Sequence, residues 1–550
     1  MHVKNLNTLF YILLMCHIFS STHLYNQSEL DNVKRILSKH NERGPEDYQF
    51  KSIGNTYMAF HRLAINGLNK RSTQPFIYKH YTMICNGEVY NHKDLWNYVD
   101  IERNTESDCE VILPLVIKYG VKQASAMIDG VFSFCIYDDV NKQFLISRDP
   151  LGVRPLYMFK DNQHLFGVSS TMNPIIDLND NGYLKGVKIN VWKNGVCGIY
   201  NIDSDELQQE TYWTPYSLQS LPFMNNIETI CNGIRKCLIE AVKKRVDTTD
   251  RPIACLLSGG LDSSLICSIV QKLSPYKIET YSIGFEGSPD LLYARKVAKY
   301  LGTKHNEVIC KEEDFLNAIP KVIERIGSYD TTTVRASVGN YLVCKYISEH
   351  SSAKVIFNGD GSDEVCGGYL YFHHSPTTTD FDIECKRLLD DIHRFDGLRS
   401  DRCISSHGLE ARTPFLDKTF IQYYLSIPSI IRKHSTIEKY LLRKSFERNY
   451  LPDEILWRTK EAFSDGVSQH TRSWYEIIQE YLKDKNINID CDYNHPETKE
   501  QKYYRILFNS FFDEKNSDVI PYFWMPKFVN ATDSSARTLS TYKIVQSSSS

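Results

Sequence analysis

The stretch Ser258-Gly259-Gly260-Leu261-Asp262-Ser263-Ser264 puts two glycines, serine hydroxyls and a carboxylate into one turn. The apolar run Ile253-Ala254-Cys255-Leu256-Leu257 before it reads as a buried strand, and Leu265-Ile266-Cys267-Ser268-Ile269-Val270 after it starts a helix. Glycines let backbone N–H groups approach an anion, and a helix N-terminus favours negative charge beside it. The chemistry indicated is phosphate binding with a metal-binding side chain built in. No lysine follows either glycine, so this is not the Walker loop. Taken alone, the loop also fits a glycine turn whose serines merely cap a helix. A second polar stretch, Asn358-Gly359-Asp360-Gly361-Ser362-Asp363-Glu364, follows another short apolar run, Lys354 to Phe357.

The elements around these loops decide between the two readings. Helical texture over 227–246, 290–300 (stopped by Gly302) alternates with apolar runs at 253–257, 278–285, 306–309 and 354–357. Alternation of this kind predicts an α/β domain with a parallel sheet flanked by helices, and such sheets bind ligands beyond the C-terminal ends of their strands. The loops after Leu257, Ile283 and Phe357 then converge on one crevice. Asp262 and Asp363 enter it together, and one or two carboxylates plus phosphate oxygens are the usual setting for Mg²⁺. A nucleotide-dependent reaction follows.

The N-terminal half has a different texture. Helix-like sequence at 29–40 precedes short strands at 56–60, 81–85, 131–137, 144–147 and 165–168, interrupted by a periodic helix at 111–119. The pattern predicts a layered α+β domain with two antiparallel sheets. Residues 212–226 lack periodicity and carry two prolines, which places the linker there.

Composition narrows the classes. The chain has 550 residues, 42% apolar and 24% charged, as in a globular protein of two or more domains. A net charge of −3 with no basic tract excludes a general nucleic-acid binder. Fifteen cysteines without a C-x-x-C pair argue against a zinc ribbon or redox pair and fit a reducing compartment. Behind Lys4, the run Leu9 to Met15 resembles a signal-peptide h-region but is too short to span a bilayer. The expected location is cytoplasmic, with no membrane partner; a homodimer is one open assembly.

Further clusters carry a resemblance. Met15-Cys16, His61-Arg62-Leu63-Ala64-Ile65-Asn66, Asn86-Gly87-Glu88-Val89-Tyr90-Asn91-His92, Ser107-Asp108-Cys109-Glu110 and Arg148-Asp149-Pro150-Leu151-Gly152-Val153-Arg154-Pro155 resemble the class II glutamine amidotransferase domain. The resemblance implies a layered αββα fold of the N-terminal-nucleophile type. It implies Cys16 as nucleophile, with its own α-amine (pKa about 8) as base. Asn86 and the Gly87 N–H would form the oxyanion hole. Arg62 would hold the glutamine carboxylate and Asp108 the ammonium, with Glu88 and residues 63–66 lining the pocket.

The loop at 258–264 resembles the pyrophosphate loop of the ATP-pyrophosphatase fold. Ser288-Pro289-Asp290, Tyr329 to Ser337, Gly367-Gly368-Tyr369, His407 to Asp417, Glu438-Lys439-Tyr440-Leu441-Leu442-Arg443, Lys460 to Gly466 and Ala531 to Leu539 narrow the likeness to the glutamine-hydrolysing asparagine synthetase family. The resemblance runs from Cys16 to about residue 543. It implies ATP, Mg²⁺, L-aspartate and L-glutamine as ligands, with a β-aspartyl-AMP intermediate. Leu256 and Ile283 would border adenine, and Asn358 and Gly359 the AMP portion. Ser258, Gly259, Gly260, Asp262, Ser263 and Ser264 would bind pyrophosphate, and Asp262 and Asp363 the metal. Lys439 would neutralise the α-phosphate, Asp360 would serve adenylate formation and ammonia handling, and Arg412 and Lys460 would meet substrate carboxylates or phosphates.

The domains expected are an extension at 1–15 absent from the mature enzyme, an amidotransferase domain at 16–211, the linker, a synthetase domain at 227–543 and a tail at 544–550. Four departures stand out. His17 replaces the family's glycine. Fifteen residues precede Cys16. Asn358 stands where serine is more common, and Asp360 where close relatives carry glutamate. A fifth is smaller: Ser169-Ser170 lacks the acidic residue usual after the serine. Rival readings are an ammonia-dependent synthetase with an impaired glutaminase, a cyclase resembling β-lactam synthetase, and a non-catalytic nucleotide or glutamine sensor.

Overall fold

Alternation of side chains in the first strand, His17–Thr22, sets the architecture of the N-terminal half. Ile18 faces Met58, Phe60, Ile84, Cys135, Tyr137 and Ile146 in a core between two sheets, while Phe19 faces Leu30, Val33, Ile36 and Ile175 on the other side. The computed structural model describes residues 16–23, 25–215, 226–460, 463–469 and 472–535. The extension at 1–15, most of the linker (216–225), Glu461 and Ala462, and everything from 536 onward lie outside them.

The first sheet has six antiparallel strands in the spatial order Lys188–Val191, Tyr157–Lys160, Phe166–Ser169, His17–Thr22, Thr56–Arg62 and Asp47–Ile53. The second has the order Glu206–Thr211, Val196–Asn201, Gln143–Arg148, Gly130–Asp138, Tyr81–Val89 and Phe76–Tyr78. Helices Gln27–Leu37 and Asn173–Asp180 cover the outer face of the first sheet, and helix Ile112–Met127 that of the second. The layers are therefore α, β, β and α, as expected. The last helix continues past Tyr119, where the sequence pattern stops, because Gly120 (φ +76°) absorbs a kink rather than ending it.

The C-terminal half is built on a five-stranded sheet, all of whose neighbours run parallel: Lys304–Ile309, Glu279–Gly284, Ile253–Leu256, Val355–Phe357 and Glu410–Arg412. Helices pack on both faces. Leu265, Ile266 and Ile269 lie against Cys255 and Phe357 on one side, and Phe315, Ile319, Val334 and Val338 join Ala254, Tyr281 and Ile356 on the other. The chain order reverses at Ile253–Leu256, between the strands at 279 and 355, which is where such folds open a crevice. The short strand Glu410–Arg412 was not foreseen. Its charged ends are wholly buried, so hydrophobic periodicity does not reveal it.

The two halves meet through buried ion pairs. Arg43 reaches Asp401 at 2.7 Å, Arg154 reaches Asp401 at 3.0 Å and Glu410 at 3.2 Å, and Arg412 reaches Glu88 at 3.2 Å. Arg251 pairs with Glu46 at 2.5 Å and donates to the carbonyl of Ala64 at 2.7 Å.

Candidate functional site

In the C-terminal half, helix Leu261–Leu273 begins at Gly260, so its first free N–H groups open toward the crevice beyond strand Ile253–Leu256. Ser258 and Ser263 tie the loop together, with their hydroxyls 3.0 Å apart and the Ser258 N–H donating to Ser263 Oγ at 3.2 Å. Gly259 takes φ +76°, and a Cβ there would lie 2.5 Å from the backbone N of Ala294. Gly359 is equally constrained, since a Cβ would come within 2.6 Å of the Ser263 N. The missing side chain at Gly359 lets the loops at 258–263 and 358–363 touch, and that at Gly259 admits helix Pro289–Leu301 against the first loop.

Leu256, Tyr281, Ile283 and Val343 form the apolar wall of the crevice, and Ser258, Gly260, Asp262, Ser263, Asn358, Gly359, Asp360, Asp363, Lys439 and Lys460 its polar wall. The buried Lys439 ammonium lies 2.6 Å from Asp262 Oδ2 and 2.5 Å from Asp363 Oδ1, and Lys460 lies 2.6 Å from Asp363 Oδ2. Burial pushes the Asp363 carboxyl up, but the two ammonium groups outweigh it and hold it well below the usual range. Burial likewise opposes the charge on Lys439, and the two carboxylates more than restore it. A Cβ on Gly368 would sit 1.9 Å from Lys439 Cε, so the absence of a side chain at Gly368 is what lets the lysine pass. Asp262 and Asp363 converge on one cation from two loops. That cation is the Lys439 ammonium, and the paired carboxylate oxygens are donors of the kind that would suit Mg²⁺.

In the N-terminal half, Cys16 directly precedes strand His17–Thr22, whose pairing with Thr56–Arg62 (His17 opposite His61) brings it beside Leu63. Its Sγ lies 3.3 Å from the Leu63 carbonyl and accepts the Leu63 N–H at 3.4 Å. Burial pushes the Cys16 thiol up to about 12, with Glu88 and Glu410 adding to the shift. Asn86 and Gly87 stand on strand Tyr81–Val89, with Asn86 Nδ2 3.5 Å from Ser170 Oγ. A Cβ at Gly87 would fall 2.4 Å from the Val131 carbonyl. Asn66 donates to Glu88 at 2.6 Å, and Asp108 accepts the Val89 N–H at 2.7 Å. Burial raises both acids, and their mutual repulsion adds to the shift of Glu88. Arg62 spends its donors on the carbonyls of Asn69 and Gly67 and on Thr73 Oγ1, which shapes the 63–73 loop. Ala64 and Ile65 are buried, and their carbonyls accept from Arg251 and Asp250 across the domain interface.

Two expected positions fall elsewhere. Arg412 does not reach the crevice: it is fully buried between Glu88 and Glu410, donates to the Thr248 carbonyl at 3.0 Å, and lies over the Tyr90 ring. Its position on the edge strand of the parallel sheet points it at the other domain. Ser264 is also fully buried, because helical rotation turns its hydroxyl into the core rather than onto the crevice wall. His17 lies on the Phe19 side of its strand, with Nε2 3.3 Å from Ser169 Oγ and its ring edge-on to His61, and burial keeps it neutral. Its side chain therefore leaves the surroundings of Cys16 Sγ untouched.

Sequence reasoning missed Arg399, Asp396 and Tyr369 on the crevice wall. Arg399 bridges Asp360 at 2.7 Å and Asp396 at 3.0 Å, and Tyr369 donates to Asp396 at 2.9 Å. The motif Gly367-Gly368-Tyr369 was the available signal for the tyrosine. Helix Asp396–Ser405 carries none for the other two.

Comparison with known proteins places both sites in one family. The family described as asparagine synthase matches residues 233–383 and 375–527, and that described as glutamine amidotransferase domain matches 15–209. The chain is 40% identical over 562 residues to the glutamine-hydrolyzing asparagine synthetase of Gallus gallus, covering 96% of this chain and 99% of that one. The enzyme of Homo sapiens gives the same identity and coverage. A solved glutamine phosphoribosylpyrophosphate amidotransferase from B. subtilis is a distant neighbour, 13% identical with a TM-score of 0.32 over 54% of this chain and 91% of its own. Two domains, each matched by its own family, and near full-length likeness to relatives of one description lead to the conclusion that this chain belongs to the glutamine-hydrolysing asparagine synthetases.

Proposed function

We propose that the chain makes L-asparagine from L-aspartate, ATP and L-glutamine, with glutamine hydrolysed beside Cys16 and the ammonia used in the crevice around Lys439. The observation that carries this reading is the convergence of Asp363, Lys439 and Lys460 on Asp262 of the loop at 258–263, beyond the strand ends. ATP lies with adenine against Leu256 and Ile283 and its phosphates on the N–H groups at Gly260–Ser263. Attack of the aspartate β-carboxylate on the α-phosphorus forms β-aspartyl-AMP and expels pyrophosphate. Lys439 and Lys460 offset the charge that develops there. Asp262 and Asp363 would hold Mg²⁺, which would supply charge neutralisation on the phosphates. Ammonia attacks the acyl carbon of the adenylate and AMP leaves, while Asp360, facing the adenylate, takes the proton that the nitrogen loses.

At the other site, a thiol with a pKa near 12 needs a base beside it. The hydrogen bonds of Cys16 Sγ among the described residues are to the backbone of Leu63. The base is the α-amine of Cys16 itself, in a mature chain that begins at Cys16. Asn86 and Gly87 stabilise the oxyanion. The buried acids Glu88 and Asp108, each disfavoured as a lone carboxylate, gain from the substrate ammonium.

Product analysis tests the reading. With aspartate and ATP, either glutamine or ammonium should yield asparagine, AMP and pyrophosphate. Asparagine from ammonium only would select a synthetase with an impaired glutaminase, and no AMP from either would leave a sensor. Intact-mass measurement of the active protein should show Cys16 as the first residue. Full glutaminase activity in a chain still carrying residues 1–15 would overturn the amine as base.

A further inference from the structure

The loop after strand Val355–Phe357 is fastened to helix Asp396–Ser405 at two adjacent points. Asn358 Nδ2 donates to Ser400 Oγ at 2.7 Å, and Arg399 donates to Asp360 Oδ1 at 2.7 Å. The Asn358 side chain also acts within the loop, since its Oδ1 accepts the Asp360 N–H at 3.2 Å. Asn358 is buried at 3% exposure, and its own N–H is bonded to the Arg412 carbonyl at 3.1 Å, so it has little freedom. One amide therefore holds both the backbone of Asp360 and the helix that supplies its guanidinium partner. The second oxygen of Asp360, Oδ2, is buried, has no hydrogen-bond partner among the described residues and belongs to a residue of the crevice wall. A buried acceptor without a donor is costly unless a ligand provides one.

We propose that Asn358 is the positioning residue for Asp360, and that the two work as a matched pair. An aspartate is one carbon–carbon bond shorter than a glutamate, about 1.5 Å of reach. Serine at 358 could not span to Ser400 and to the Asp360 N–H at once, because its single oxygen sits on Cβ, whereas the asparagine donor and acceptor are separate atoms one bond further out. With the amide in place, the 358–360 turn is drawn against the helix and Oδ2 is set at the depth the shorter side chain can reach. Asn358 thereby acts through Asp360, and the nucleotide site at Leu256, Ile283 and the 258–263 loop is left as it is.

The inference rests on the proposed reaction, and its test separates the two. Asparagine formation is measured with ammonium as nitrogen source, for the parent and for Asn358→Ser, Asp360→Glu and the double variant, with kcat and KM for ATP and for aspartate. If the parent makes no asparagine, the proposed reaction fails. If it does, each single variant should lose at least about tenfold in kcat with KM for ATP within about twofold, because a 1 Å misplacement costs rate rather than nucleotide affinity. The double variant should recover most of the loss. Losses that multiply in the double variant, or a rise in KM for ATP with kcat intact, would overturn the pairing. Ser400→Ala, which removes the partner of Asn358 outside the crevice wall, should lower kcat in the parent and leave the double variant unchanged. Equal losses in both backgrounds would count against the proposal, and thermal melting of each variant identifies any that fail to fold.

Discussion

The two sites solve the problem of buried charge in opposite ways. In the C-terminal crevice each charge has its counter-charge within the site: Lys439 between Asp262 and Asp363, and Lys460 on Asp363. In the N-terminal site Cys16 has backbone partners, while Glu88 is balanced from the other domain by Arg412. The crevice is assembled by loops of one sheet at a topological switch point. The N-terminal site draws on Cys16 beside Leu63 and on Arg412 from the edge strand of the other domain. Loss of one charge in the crevice should therefore damage the synthetase step alone, whereas loss of Arg412 should disturb the joint between the domains.

The largest contrast should come from Cys16→Ala. Glutamine-dependent synthesis should fall by about a thousandfold or more, with the ammonium-dependent rate unchanged, as measured by asparagine formation from each nitrogen source. The pH dependence sharpens this. In the chain beginning at Cys16, glutaminase activity should rise as pH climbs through about 8 and the α-amine loses its proton. In a chain that retains residues 1–15 the thiol, pushed up to about 12, should leave the activity low through pH 9. Equal profiles for the two forms would break the comparison.

Lys439→Met should lower synthesis from both nitrogen sources by roughly 10²–10³-fold while glutamine hydrolysis persists, which separate assays of glutamate and AMP would show. Arg412→Met leaves Glu88 buried without its cationic partner and Glu410 with Arg154 alone. It should cost about 3–5 kcal/mol in denaturant unfolding and weaken the coupling of glutamate release to asparagine formation. Ser264→Ala should be the smallest change. Its buried hydroxyl has no partner among the described residues, so stability and KM for ATP should stay within about 1 kcal/mol and twofold of the parent. A large rise in KM for ATP would return Ser264 to the phosphate loop.

Much of this was legible in the residues because it is local. The alternation of strands and helices, the glycines at 259 and 359, and the apolar runs before each polar loop follow from backbone sterics and periodicity, which a single sequence carries. Cys16, Asn86-Gly87 and Asp108 entered through the family resemblance that their motifs carry. The fate of Arg412 was not, since a motif says which residues occur together and not which face of an edge strand they occupy. Arg399 and Asp396 stayed hidden because their helix reads as ordinary amphipathic sequence, and only the packing of Asp396–Ser405 beside the 358–360 loop makes them part of the crevice. By itself, then, the sequence determined the two folds, their order and the residue types at each centre. The tertiary structure decided that Lys439 lies between Asp262 and Asp363, which arginine seals the domain joint and how Asn358 bears on Asp360, because those depend on contacts between residues tens to hundreds of positions apart.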